Sequence, residues 1–119
     1  MDYKAVYELV MKIDPKIRFA TIFDFNGEIM HTGHREGVKN LLTPEESKRS
    51  LEEAVNIWRL RNELAPKIGK GRYVLAVYEK VKRITMPLDD QYLLYVTTTS
   101  DADHETIIDS ILKLKSGLK

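Results

Sequence analysis

Hydrophobic positions recur with a helical period in three stretches of the chain and with a strand period in five. Tyr3, Val6, Tyr7, Val10 and Ile13 fall three and four residues apart, the spacing of one helix face. Asp2 supplies a cap for the free amides of the first turn. Asp14-Pro15 stops the helix, because a residue before proline is steered away from the α region. Ile17, Phe19, Thr21, Phe23 and Phe25 then alternate with Arg18, Ala20, Ile22 and Asp24, a period of two that predicts a strand. Asn26-Gly27 follows, a pair that tolerates the positive φ of a type I′ turn, and Glu28 to Thr32 forms the return strand. Asp24, Asn26 and Gly27 read as turn residues. A metal loop needs further oxygen ligands at short intervals, and the sequence has none there. Gly33 to Leu42 has no period and predicts an irregular connection or a short helical turn.

Thr43-Pro44-Glu45-Glu46 opens the second helix with an N-cap, a proline at the first helical position and a capping box. The helix is expected to run to about Ala65, where Pro66 interferes, and Gly69-Lys70-Gly71 frees the chain to turn. Three strands follow. Tyr73 to Glu79 is apolar on both faces and is expected to be covered on both sides. Arg83 to Leu88 carries Pro87, which restricts it to a strand end or an edge. After a tight turn at Leu88-Asp89-Asp90-Gln91, Tyr92 to Thr99 is again apolar on both faces. Ser100, Asp101 or Asp103 caps a closing helix with the stripe Ile107, Ile108, Ile111, Leu112 and Leu114. Lys113 and Lys115 near its end suit the helix dipole, and Gly117 is its C-cap. The order α-β-β-α-β-β-β-α predicts an α+β fold, an antiparallel sheet with helices packed on it. The regular strand–helix alternation of a parallel sheet is missing.

The helix opened at Thr43 carries two apolar stripes. Leu51, Ala54, Val55 and Trp58 form an ordinary core-facing stripe. Ile57, Leu60 and Leu64 form a second, roughly 120° or more around the cylinder at about 100° per residue. One sheet cannot cover both. Either Gly33 to Leu42 folds over the second stripe, or a partner chain does.

In this order of elements the chain resembles the roadblock/LC7 domain, a member of the profilin-like and PAS-like group, over nearly its whole length. Phe23-Asp24-Phe25-Asn26-Gly27-Glu28-Ile29 resembles the first hairpin of those domains, where an acidic-Gly turn is common. The long helix at Thr43 is more similar to roadblock than to PAS domains, which usually place several short helices there. Arg35-Glu36-Gly37-Val38 and the stretch from Tyr78 to Thr85 resemble parts of small archaeal proteins. The resemblance implies a five-stranded antiparallel sheet, no catalytic residues, frequent homodimers and a role as adaptor or regulator of small GTPases. Its PAS-like side implies instead a sensor that binds a small ligand in the concave face of the sheet. Neither family has a motif that carries a functional residue onto a position here.

Composition narrows the field. At 119 residues, 43% hydrophobic and 31% charged, the chain is sized for one domain spanning 1–119 with a core of its own. Without cysteine it has no disulfide, thiolate nucleophile or cysteine zinc site. The N-terminus lacks the apolar stretch of a signal peptide, and no run approaches the ~20 apolar residues of a membrane span, so the expected compartment is the cytoplasm. A net charge of +1 supplies no global field for DNA, so nucleic acid is not an expected partner. The charge is nevertheless segregated. Lys67, Lys70, Arg72, Lys80, Lys82 and Arg83 accompany a single acid, Glu79, and six acids without a lysine or arginine follow between Ile84 and Leu112. Such a block forms either a basic partner patch or the lysine protection of an edge strand.

Candidate chemistry is sparse. His31 and His34, with Glu36 nearby, lack the convergent third and fourth ligands of a metal site. His104 sits among acids whose role at a helix start is capping. Asp89-Asp90 reads as a turn. Gly69-Lys70-Gly71 is too short for a phosphate loop and precedes a strand instead of a helix. No acid, base and nucleophile can be assembled. The expectation is therefore a non-enzymatic, homodimeric adaptor or regulatory module without a cofactor, with Ile57, Leu60 and Leu64 at the subunit contact and a protein partner such as a small GTPase. A ligand-binding sensor is the alternative.

Overall fold

The computed structural model describes residues 1–118. Three helices and five strands follow in the order α1 (Tyr3–Met11), β1 (Ile17–Asp24), β2 (Ile29–His34), α2 (Pro44–Ile68), β3 (Val74–Val77), β4 (Val81–Pro87), β5 (Tyr92–Thr99) and α3 (His104–Ser116). The strands form one antiparallel sheet in the order β2-β1-β5-β4-β3. β5 is central, which accounts for its apolar residues on both faces. Leu94 and Val96 face α1 and α3, while Leu93 faces α2.

Capping fixes the helix starts. The Asp2 side chain accepts from the Ala5 amide and opens α1, and Asp103 does the same for α3 through Thr106. Thr43 and Glu46 make the full capping box of α2. Arg35, just past β2, donates to the carbonyls of Met11, Asp14 and Ile17. It thereby satisfies the end of α1 and ties that helix to the sheet.

The elements differ from the sequence pattern in instructive places. β1 carries a bulge between Ile17 and Phe19 against β5, so Ile17 shares a face with Ala20 and Ile22, not with Phe19. The β1–β2 turn is not type I′. Only Gly27 has positive φ, at +81°, and Asn26 does not. The Gly27 amide donates to the Asp24 carbonyl, the Asp24 amide donates to the Glu28 carbonyl, and the Asp24 carboxylate accepts from the Asn26 and Glu28 amides. Together these make a three-residue loop in which only glycine needs the left-handed region. α2 runs to Ile68, three residues beyond the expected end. Pro66 lies in its last turn, and the Gly69 amide still reaches the Ala65 carbonyl. β3 is the clearest correction. It is not covered on both sides but is a short edge strand, with Val77 65% exposed.

The sheet separates two apolar clusters. On one face Val6, Val10, Ile22, Leu94, Ile107 and Ile111 are among the buried residues joining α1, α3 and the sheet. On the other, among the described residues only Phe23, Val55, Trp58 and Leu93 are buried. Trp58 anchors that cluster. Its indole Nε1 donates to Thr85 Oγ1 at 3.0 Å, and its ring lies so close to Gly71 that a β-carbon there would stand 2.7 Å from it. No described helix is long and apolar enough to cross a membrane.

Candidate functional site

The second stripe of α2 is bare. Ile57, Leu60 and Leu64 are 43%, 52% and 43% exposed, and Ile68 extends the row at 79%. Residues 35–43 do not fold over it. They pack against the start of the helix and the start of β1, through Asn40 to Ser47 Oγ and Arg18 to the Lys39 carbonyl. Arg59, on one flank of α2, donates to the Phe25 carbonyl of the β1–β2 turn. Helical spacing therefore sends Ile57 and Leu64 to the opposite flank, toward β3. There the unpaired edge of β3 adjoins the row, whereas exposed Val77, opposite Lys82, faces the α3 side of the sheet. Sequence reasoning missed Ile68 because Pro66 marked the helix end. The signal was present in the four-residue step from Leu64 to Ile68.

The six basic residues do not converge. Lys82 and Arg83 are consecutive in β4 and so point to opposite faces. Lys82 Nζ donates to the Ala102 carbonyl and lies 2.9 Å from His104 Nδ1 on the α3 side, whereas Arg83 donates to Ser50 on the α2 side. Lys70 pairs with Asp90 at 3.9 Å, and Lys67, Arg72 and Lys80 are exposed around the β3 end of the sheet. The histidines also separate. His31 packs at a tilt against Tyr7 beneath α1, and His34 lies against Phe19 on the other face. Among the described residues no cluster of metal-ligating side chains occurs. Asp89 is a turn residue, accepting from the Gln91 and Tyr92 amides.

A second feature was not legible in the sequence. Val55 and Trp58 seat the middle of α2 on the sheet, but its first turns stand off, leaving a groove of about 1050 Å³ beneath them. The floor is the pair of strand rows Phe19–Thr97–Arg83 and Thr21–Tyr95, read from the strand pairing. Leu51 and Ser47 of α2 form the roof, and Leu41 and Leu42 close one side. At the start of α2 the Thr43 amide and hydroxyl hold the Glu46 carboxyl below the usual carboxylate range, which keeps the capping box charged.

No protein-family model and no curated protein sequence matches the chain. Solved structures do. The roadblock/LC7 domain from Streptomyces avermitilis superposes with a TM-score of 0.74 at 13% identity, covering 99% of this chain and 95% of that one. The gliding protein MglB from Thermus thermophilus gives 0.77 at 13%, covering 97% and 84%. An MglB with a tetrameric arrangement gives 0.77 at 12%, covering 98% and 86%. At such identities the likeness is one of fold. The chain has a roadblock-like α+β fold, a five-stranded antiparallel sheet with the element order α-β-β-α-β-β-β-α.

Proposed function

We propose that the chain is a homodimeric interaction module, a roadblock-like adaptor or regulator and not an enzyme, acting in the cytoplasm. The observation that carries this reading is the row Ile57, Leu60, Leu64 and Ile68, exposed on the flank of α2 that overlooks the open edge of β3. Contiguous apolar side chains beside an unpaired strand edge are costly in water and prone to uncontrolled pairing unless another surface covers them. A two-fold contact answers both, because it brings the same helix flank and the same edge from each subunit together. The tetrameric arrangement of a structurally similar MglB supports assembly as the use of this fold. The resemblance to roadblock domains makes a small GTPase the first heterologous partner to test.

Light scattering at micromolar concentration tests the reading. The wild type is expected to run as a dimer and Leu60→Glu as a folded monomer, since each two-fold contact would bury two facing glutamates. Tryptophan fluorescence should stay near native, because Trp58 lies in the intramolecular cluster. A monomeric wild type overturns the proposal.

A further inference from the structure

We propose that the groove beneath the first turns of α2 is a binding site for a small organic acid. Its anionic head would sit at Arg83 and Arg18, and its apolar body would lie between Tyr95 and Leu51. This site is separate from the dimer surface, which uses another flank of the same helix.

Three observations carry it. The first is unspent charge. Arg18 and Arg83 both line the groove, and among the described residues neither has a carboxylate within ion-pair distance. Arg18 gives one Nη hydrogen to the Lys39 carbonyl, while its Nε is buried without a hydrogen-bond partner. Arg83 gives one Nη hydrogen to Ser50 Oγ. Half-buried guanidinium groups short of acceptors have hydrogen-bonding capacity to spare, and an anion placed between them gains charge-assisted, bidentate hydrogen bonds. Lys48 and Lys80 add positive charge at the rim against a single acid, Glu79.

The second observation is preorganisation. The Arg83 guanidinium lies 5.2 Å from the Tyr78 ring centroid and 5.5 Å from that of Tyr95. Two aromatic contacts restrict this side chain, so less rotamer freedom is lost when it takes up a ligand. Strand register sets Arg18 and Arg83 apart across β5. Arg83 stands opposite Thr97, which stands opposite Phe19, next to Arg18 in the bulge. The third observation is room and lining. The remaining walls are largely apolar, from Phe19, Ile29, Leu41, Leu42 and Leu51, and about 1050 Å³ is at the top of the range of small-molecule sites, roughly 300–1,000 Å³. An inorganic anion would use the arginines and leave this apolar surface wet. A neutral apolar molecule would leave the arginines unpaired. An amphipathic carboxylate satisfies both.

The test uses the whole chain. Anilinonaphthalene sulfonate, an aromatic anion that fluoresces in apolar sites, is bound and then displaced by decanoate or by decanol. Decanoate is expected to displace it at least about tenfold more effectively than decanol, the difference being the charged hydrogen bonds. Arg83→Met, and independently Arg18→Met, should erase most of that difference while leaving decanol unchanged. Amide NMR shifts with decanoate should centre on Thr21, Tyr95, Thr97 and Ser47. They should persist in Leu60→Glu, so failure of the dimer and failure of this site are distinguishable. Several results overturn the proposal. These are no decanoate binding at millimolar concentration, equal displacement by decanol, or shifts confined to Ile57 and Leu64. Shifts at Thr97 that grow with protein concentration alone would assign the groove to a second copy. Displacement by an acidic peptide but not by decanoate would assign it to a protein partner.

Discussion

The two faces of the sheet are built from the same five strands and are finished differently. Beneath α1 and α3, strand residues such as Ile17, Ala20, Ile22, Ile84 and Val96 are fully buried and interlock with Val10, Ile107 and Ile111. Beneath α2, one 25-residue helix buries only Val55 and Trp58 of its own residues, with Leu51 and Ala54 partly buried beside them. The strand residues beyond them, Phe19, Thr21, Tyr95 and Thr97, stay half exposed. Apolar area removed from water drives folding, so the closed face carries the stability. The open face holds what stability does not consume: a groove, two unpaired arginines and a bare helix flank.

The largest expected effect tests this division directly. Ile22→Ala empties a fully buried site on the closed face and should cost ~2–5 kcal/mol in denaturant unfolding. Phe19→Ala, three residues earlier on the open face, should cost about 1 kcal/mol, because its ring is only half buried. Equal losses would mean that the groove is as closed as the core. Leu60→Glu then probes the outer flank of α2. It should weaken the dimer by at least about tenfold and leave monomer unfolding close to wild type.

The β1–β2 turn links the two faces, since Arg59 of α2 clamps it through the Phe25 carbonyl. A β-carbon at Gly27 would meet nothing within 4 Å, so any penalty there is conformational and not steric crowding by neighbours. Gly27→Val should cost on the order of 1 kcal/mol or more in thermal unfolding, because a β-branched residue resists φ of +81°. Gly27→Asn should cost less, since asparagine tolerates that region. An unchanged melting temperature for valine would show that the turn relaxes freely.

The same contrast explains what could be read from the sequence. β5 appears at its expected bounds, Tyr92–Thr99, because a central strand buried on both faces writes its environment into consecutive residues. β3 misled for the same reason. Val74 to Val77 is equally apolar, but β3 lies at the edge of the sheet with a strand neighbour on one side only, and periodicity cannot tell an edge strand from a central one. Ile57, Leu60 and Leu64 were legible as a stripe because they share one helix. The groove was not, since Arg18, Arg83, Tyr95 and Leu51 come from four elements whose order in the sheet, β2-β1-β5-β4-β3, no local pattern specifies. Strand geometry also splits the basic stretch, turning neighbours such as Lys82 and Arg83 to opposite faces.

The smallest effect expected is also the finest test, because it sets the two helix caps of the two faces against each other. The Asp103 carboxylate, at the start of α3, accepts from the Thr106 hydroxyl at 2.8 Å and from its amide at 3.2 Å, and these bonds hold its pKa below the ordinary 3.8. Glu46, at the start of α2, is lowered in the same way by the Thr43 amide and then its hydroxyl. For both, the folded pKa lies under the unfolded one. Their stabilisation is therefore complete above the ordinary carboxylate range and fades as the pH falls through it, from about pH 5 to about pH 2. Asparagine caps a helix nearly as well as aspartate but does not titrate. Asp103→Asn should therefore leave the neutral-pH melting temperature near wild type and shallow its decline in acid. Glu46→Gln keeps the capping box on a helix whose first turns overhang a groove. Those turns are expected to open locally before the closed face does. Its signature should be a weaker pH dependence of hydrogen exchange at the amides of Ser47 to Leu51, with little change in the acid dependence of global melting. If Glu46→Gln alters global melting as much as Asp103→Asn does, the two faces unfold as one unit, and the open face is no less a part of the core than the closed one.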